Sequence, residues 1–280
     1  MPLPRRLRSI LFAPAVRPDL VAKTPRAGAD AVVIDLEDAT PVNAKDDARA
    51  ALADLVDAIR AEAAVLVRVN DLDTPWFTAD LAALPAGLAG VVVPKVETVS
   101  GLDTVTAALA DAGHLGLPVL AGLETALGVA DARPLLAHPA VAAAYFGAED
   151  FIADMGGVRT GSNAEVAHAR GAVALAARLA GVRVVDQVVA DFRDDDRFRR
   201  EATEARAMGY AGKLCIHPGQ VGLANDAWTP TEAEIDDARR LLAAYEEASA
   251  GGVAAIDFEG RMVDEPVAAQ ARRLLTLAET

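Results

Sequence analysis

The residues of this 280-residue chain whose type and spacing could do chemistry are acidic. Glu124 stands alone in VLAGLETALG, residues 119–128, a segment otherwise almost wholly apolar, while Glu149 and Asp150 follow the apolar run 143–146. A lone ionised carboxylate in such surroundings costs on the order of several kcal/mol unless it is paired, so a positive group has to sit beside Glu124. Two carboxylates from adjacent strands suit a hard divalent cation. Magnesium commonly takes one or two protein carboxylates and leaves its other positions to water and substrate oxygens, which makes Glu124 and Asp150 the candidate ligands and Mg2+ the candidate ion. Paired carboxylates can also serve as acid and base in glycoside cleavage. Against that stands an aromatic content of only 4%, which offers few platforms for sugars. Zinc finds no support, because His114, His138, His168 and His217 are scattered without an H-x-x-x-H pair. Cys215 is the sole cysteine and lies in a strand-core pattern, which disfavours a catalytic thiol.

Elements that could position these groups alternate along the chain. Short apolar runs of strand type occur at 9–12, 31–34, 65–69, 91–93, 119–121, 143–146, 184–188 and 213–216, and helical periodicity fills intervals such as 43–60, 99–112, 164–179 and 195–208. Continuous apolar strands imply burial on both faces, and eight alternations match the arithmetic of a (β/α)8 TIM barrel. The rival is a doubly wound open sheet, but no G-x-G-x-x-G follows the first strand. In a barrel, polar residues at the carboxyl ends of strands face the active site. Here those positions hold Asp35, Glu37 and Asp38, then Arg68 and Asn70, Lys95, Glu124, Glu149 and Asp150, Asp186, and Lys213 with His217. Arg68 alternates with Val65, Val67 and Val69, which turns it to the opposite face from them. The expected organisation is a barrel domain over 1–248. A C-terminal arm over 249–280 follows, with a flexible break, a hairpin and a last helix from Pro266, packing on a neighbouring subunit or lying over the mouth.

Composition bounds the partners. The formal charge of −14 argues against nucleic acid or an anionic membrane, both of which need clustered Lys and Arg. No segment reaches the roughly 18 uncharged apolar residues of a membrane helix. The opening residues have no signal cleavage pattern, and with one cysteine no intrachain disulfide forms, so a reducing cytoplasm is the expected location.

The motifs LFAPAVRPDLVAK, VVIDLEDAT, VRVN, VVVPKVET, LETALGV, FGAEDF, KLCIHPGQ and FEGRMVDEPV, in that order, resemble the citrate lyase beta subunit family, which also contains malyl-CoA and citramalyl-CoA lyases. The resemblance spans nearly the whole chain. It implies a magnesium-dependent barrel, assembled as a homotrimer or hexamer, that cleaves a 3-hydroxyacyl thioester into a shorter acyl thioester and a keto acid. It makes Glu124 and Asp150 the metal ligands and Arg68 the contact to substrate oxygens. Phe12, Arg17 and Lys23 would meet CoA. Asp264 of MVDEP would be the acid/base delivered from a neighbouring subunit's arm, and Asp35, Glu37 and Asp38 would hold metal-bound waters. The beta subunit of a true citrate lyase, acting on a carrier-protein thioester, is the nearest alternative. A non-catalytic CoA-binding scaffold and a pyruvate-type metal aldolase are the more distant ones.

Overall fold

The computed structural model describes residues 3–279. Eight strands, β1 (Ser9–Pro14), β2 (Ala31–Asp35), β3 (Val65–Arg68), β4 (Gly90–Val93), β5 (Val119–Leu123), β6 (Val141–Phe146), β7 (Arg183–Asp186) and β8 (Gly212–Cys215), pair in chain order into a closed barrel. Every neighbouring pair is parallel, and β8 closes on β1 with Ser9 beside Lys213. This is the (β/α)8 barrel expected from the alternation. The helices expected at 43–60, 99–112, 164–179 and 195–208 are found as Lys45–Ile59, Val99–Asp111, Ala167–Ala180 and Asp195–Met208.

The strands are short and rich in Val, Ile, Leu and Ala because both of their faces are covered. One set of alternating residues fills the barrel interior, with Ile10, Val33, Leu66, Val92, Leu120, Ala143, Val185 and Leu214 supplied by successive strands. Strand periodicity then fixes what stands at the mouth. Two residues beyond these interior positions come Phe12, Asp35, Arg68, Gly122, Tyr145 and Ile216, and Glu124 lies two past Gly122, just beyond the end of β5.

The opposite alternation faces the helices. Asp186 and Lys213, counted above with the strand-end charges, belong to this outer set and not to the mouth. Asp186 accepts hydrogen bonds from Lys213 Nζ at 2.7 Å and from Arg170 Nε and Nη2 at 3.0 and 3.1 Å. Glu201 accepts from Arg197 Nε at 2.7 Å and Lys213 Nζ at 3.3 Å. Arg170, Asp186, Glu201 and Lys213 are all buried, so these ion pairs tie two helices to β7 and β8 while meeting one another's charges. Cys215 is also buried, and burial pushes its thiol up to about 12, which makes it a core residue and no nucleophile.

The chain divides into two compact units, residues up to Asn225 and residues from Asp226 onward. In the second, Thr231 and Glu234 form a capping box that starts the helix Glu232–Ala250. An antiparallel hairpin of β9 (Ile256–Phe258) and β10 (Arg261–Val263) follows, and the helix Glu265–Glu279 ends it. Leu241, Leu242 and Tyr245 share a core with Val263, Ala268 and Ala271. Because the helix Glu232–Ala250 supplies half of that core, the second unit starts well before the arm boundary expected at 249. Among the described residues, no helix is long and apolar enough to cross a membrane.

Candidate active site

The carboxyl ends of the strands open on a cavity of about 430 Å³. Phe12, Asp35, Asp38, Arg68, Glu124 and Asp150, expected at a site from the sequence, all line it, together with Tyr145, Gly147, Glu149, Leu214 and Ile216. Phe12, Asp35, Arg68, Tyr145 and Leu214, borne by β1, β2, β3, β6 and β8, follow directly from the interior alternation of their strands. Arg17 and Lys23 do not line this cavity; both are exposed, and Arg17 pairs with Asp19 at 2.9 Å.

Arg68 is the fixed cation of the site. Its Nε and Nη2 donate to the two oxygens of Asp35 at 2.7 and 2.6 Å, its Nη1 lies 2.8 Å from Glu37 Oε2, and its guanidinium stands 5.2 Å from the centre of the Phe12 ring. Asp35 is held in turn by the backbone N–H groups of Glu37 and Ala39, at 2.9 and 3.1 Å. A carboxylate gripped from both sides cannot swing, so the fork it holds is pre-aimed. Although burial opposes its charge, Asp35 and Glu37 raise the Arg68 pKa well above the ordinary value.

Lys95 is the second cation. Its Nζ donates to Glu37 Oε1 at 2.5 Å and lies 3.8 Å from Asp150 Oδ1. Burial pushes the Glu37 carboxyl up to about 7, against the pull of Arg68 and Lys95 and with the help of Glu124. Burial works against the Lys95 charge as well, yet Glu37 raises the ammonium. Cations thus flank both oxygens of Glu37, at 2.5 and 2.8 Å. The loop carrying it is pinned below by Lys45, whose Nζ donates to the carbonyls of Leu36 and Glu37 and to Asn70 Oδ1 at 2.9, 3.1 and 2.6 Å.

Glu124 is 2% exposed. Its Oε1 accepts from the Lys95 backbone N–H at 2.9 Å and from the Tyr145 hydroxyl at 2.8 Å. Lys95 holds φ at +50°, an uncommon backbone state for a lysine, and in that state its N–H bonds Glu124 while its ammonium bonds Glu37. Burial first, and then repulsion from Asp150, push the Glu124 carboxyl up. The positive neighbours required by the sequence argument are therefore Arg68 and Lys95, and they are shared.

The charges of the inner group suit a divalent ion. Asp35, Glu37, Glu124 and Asp150 meet two cations at the mouth, Arg68 and Lys95, so among these six side chains negative charge is in excess. Arg68 and Lys95 engage Asp35 and Glu37 most closely, so Glu124 and Asp150 are the carboxylates with capacity to spare. Among the described residues no three His, Cys, Asp or Glu side chains gather into a metal-holding group. A carboxylate pair completed by water and substrate oxygens is magnesium's habit and not zinc's. Gly147 makes room for this, because a Cβ there would overlap Glu124 Oε2.

The sequence reading misses Tyr145, and of Lys95 it gives the charge but not the backbone. Tyr145 lay inside an apolar run, and its only signal was strand parity with Ala143. Lys95 was noted as a strand-end charge, but nothing in VVVPKVET announced its left-handed backbone. Asp264 lies in the second unit, where its backbone carbonyl accepts from Ala268 N–H at 2.9 Å at the start of the last helix.

Comparison with known proteins places these residues among relatives. The profile described as HpcH/HpaI aldolase/citrate lyase matches residues 8–218. A citrate lyase subunit beta-like protein of Deinococcus radiodurans is 51% identical, with 98% of each chain covered. A (3S)-malyl-CoA thioesterase of Cereibacter sphaeroides is 34% identical over 97% of this chain and 94% of its own. Among solved structures, CitE of Mycobacterium tuberculosis in complex with magnesium, acetoacetate and coenzyme A superposes with a TM-score of 0.82 at 33% identity, covering 99% of each chain.

Proposed function

Since this chain belongs to the HpcH/HpaI aldolase/citrate lyase family and is a citrate lyase beta subunit-like lyase, we propose that it cleaves a 3-hydroxyacyl-CoA thioester, such as malyl-CoA or citramalyl-CoA, into a shorter acyl-CoA and a 2-keto acid. The observation that carries this reading is one wall of the cavity, where a guanidinium locked by Asp35 faces the two carboxylates, Glu124 and Asp150, that the site's own cations engage least.

The reaction requires that a base take the 3-hydroxyl proton and that the C2–C3 bond break with its electron pair moving onto C2 and the thioester carbonyl. C2 then regains a proton. Glu124 and Asp150 are the residues that would hold Mg2+, in keeping with the magnesium in the related CitE complex. Such an ion supplies Lewis acidity and a template for the keto-acid oxygens. Arg68 binds those same oxygens with a fork that needs no rearrangement. Asp35 and Glu37 hold Arg68 and Lys95, and with Asp38 they would hold waters around a bound ion. Phe12 shapes the thioester side of the cavity, and Arg17 and Lys23 meet the phosphates of CoA outside it. Asp264 serves as acid/base from the arm of a neighbouring subunit in a trimer or hexamer. A carrier-protein thioester in place of CoA is the alternative substrate form.

The name of the Cereibacter relative brings a second reading, hydrolysis of a malyl thioester without carbon–carbon cleavage. Product analysis separates the two. Purified protein with Mg2+ and a panel of hydroxyacyl-CoA thioesters should release a 2-keto acid, trapped as its phenylhydrazone, with no free thiol. Thiol release without keto acid would replace the lyase by a thioesterase.

A further inference from the structure

Tyr145 stands on β6, 2% exposed, in the layer of strand positions that Phe12, Asp35 and Arg68 occupy at the mouth. Its hydroxyl reaches Glu124 Oε1 at 2.8 Å, and the Lys95 backbone N–H reaches the same oxygen at 2.9 Å. Both donors therefore converge on Oε1. On the other side, Oε2 occupies the space left by the missing side chain of Gly147. Gly122 does for the phenol what Gly147 does for the carboxylate, since a Cβ at 122 would overlap the Tyr145 hydroxyl. Two glycines and two donors thus shape one carboxylate's surroundings. Neutral helper groups of this kind are found behind metal ligands because a ligand that rotates freely loses affinity in ordering itself.

We propose that Tyr145 is a positioning residue of the cation site, whose hydroxyl, with the Lys95 N–H, holds Oε1 of Glu124 so that Oε2 is the oxygen offered to a divalent cation. The inference rests on the reading of Glu124 as a cation ligand. The phenol is the donor in this pair, since a carboxylate only accepts. Its proton is committed to Glu124, which separates this role from that of an acid or base acting on substrate.

Calorimetric titration of the metal-free full-length protein with Mg2+ tests the assignment on three proteins: the wild type, Tyr145→Phe and Glu124→Gln. The Phe ring keeps the packing and removes only the hydroxyl. Tyr145→Phe should weaken Mg2+ binding about 10–100-fold, the usual consequence of losing a group behind a ligand, while kcat at saturating Mg2+ returns to within about threefold of wild type. Glu124→Gln should weaken binding further still. A purely packing role would lower the melting temperature and leave the Mg2+ affinity alone, and Mg2+ affinity within about twofold of wild type in folded Tyr145→Phe overturns the proposal. If wild-type affinity is unchanged in Glu124→Gln, the cation reading itself fails. Should Tyr145→Phe not fold, the wild-type protein decides: with only three tyrosines, Mg2+ should produce a tyrosine difference spectrum that survives in Tyr210→Phe and Tyr245→Phe. No Mg2+-induced tyrosine signal contradicts the proposal.

Discussion

Arg68 and Asp35 form a two-pronged pair on adjacent strands, residue beside residue in the β2–β3 register, with hydrogen bonds of 2.7 and 2.6 Å. The pair joins the barrel wall to the cavity: it spends two of the guanidinium's donors on aiming the rest. An ammonium cannot reproduce that fork. Arg68→Lys should therefore keep the fold and its charge while lowering kcat/KM about 10²–10³-fold, the range found when one preorganised donor is lost. Steady-state kinetics beside a thermal melt checks this, and near-wild-type kcat/KM would remove Arg68 from substrate binding.

Gly147→Ala places a methyl where Glu124 Oε2 lies. The carboxylate has to turn away, so Mg2+ binding should weaken by an order of magnitude or more with little change in circular dichroism. A Mg2+ titration of the variant that overlays the wild type would show that Oε2 plays no part.

Asp264→Asn keeps a side chain able to start the last helix but cannot carry the proton. Turnover should fall about 10²–10⁴-fold, as is usual for an acid/base group, with Mg2+ and CoA affinities nearly unchanged. If the arm acts on a neighbouring subunit, mixing inactive Asp264→Asn and Arg68→Met proteins should restore part of the activity. Full activity of Asp264→Asn alone would take the residue out of the reaction.

The outer network carries a pH prediction. Against the cost of burial, the Lys213 ammonium and the Arg197 hydrogen bond hold the Glu201 carboxyl down at about 2, from an ordinary 4.5. A carboxyl depressed in the folded state adds stability that is fully present above its unfolded pKa and lost as pH falls toward the folded one. The melting temperature should therefore drop between about pH 4.5 and pH 2, and Glu201→Gln should be less stable than wild type at pH 7 with a flatter acid limb. Parallel acid limbs for the two proteins would contradict it.

Much of this is legible in the amino-acid sequence. All eight strands were found because barrel strands covered on both faces read as unbroken apolar runs, and Glu124 announced itself as a charge inside one. What strand pattern could not decide was parity in segments only four residues long. Asp186 and Lys213 looked like mouth residues, yet each lies one position out of phase with Val185 and Leu214, and so faces the helices. The Lys95 backbone was hidden for another reason, since residues that hold a left-handed conformation for function need not be Gly or Asn. Arg17 and Lys23 carried the right charge for CoA, and the cavity wall ends before it reaches them.

The central claim is that Glu124 and Asp150 make the mouth a magnesium-dependent lyase site. Keto-acid release from malyl-CoA or citramalyl-CoA, followed as Mg2+ is titrated into metal-free wild type, Glu124→Gln and Asp150→Asn, tests it most directly. Wild-type release should rise from near zero to saturation and vanish on chelation, with both variants inactive at Mg2+ levels that saturate wild type. Release that persists after chelation, or that both variants sustain at the wild-type rate, would contradict it.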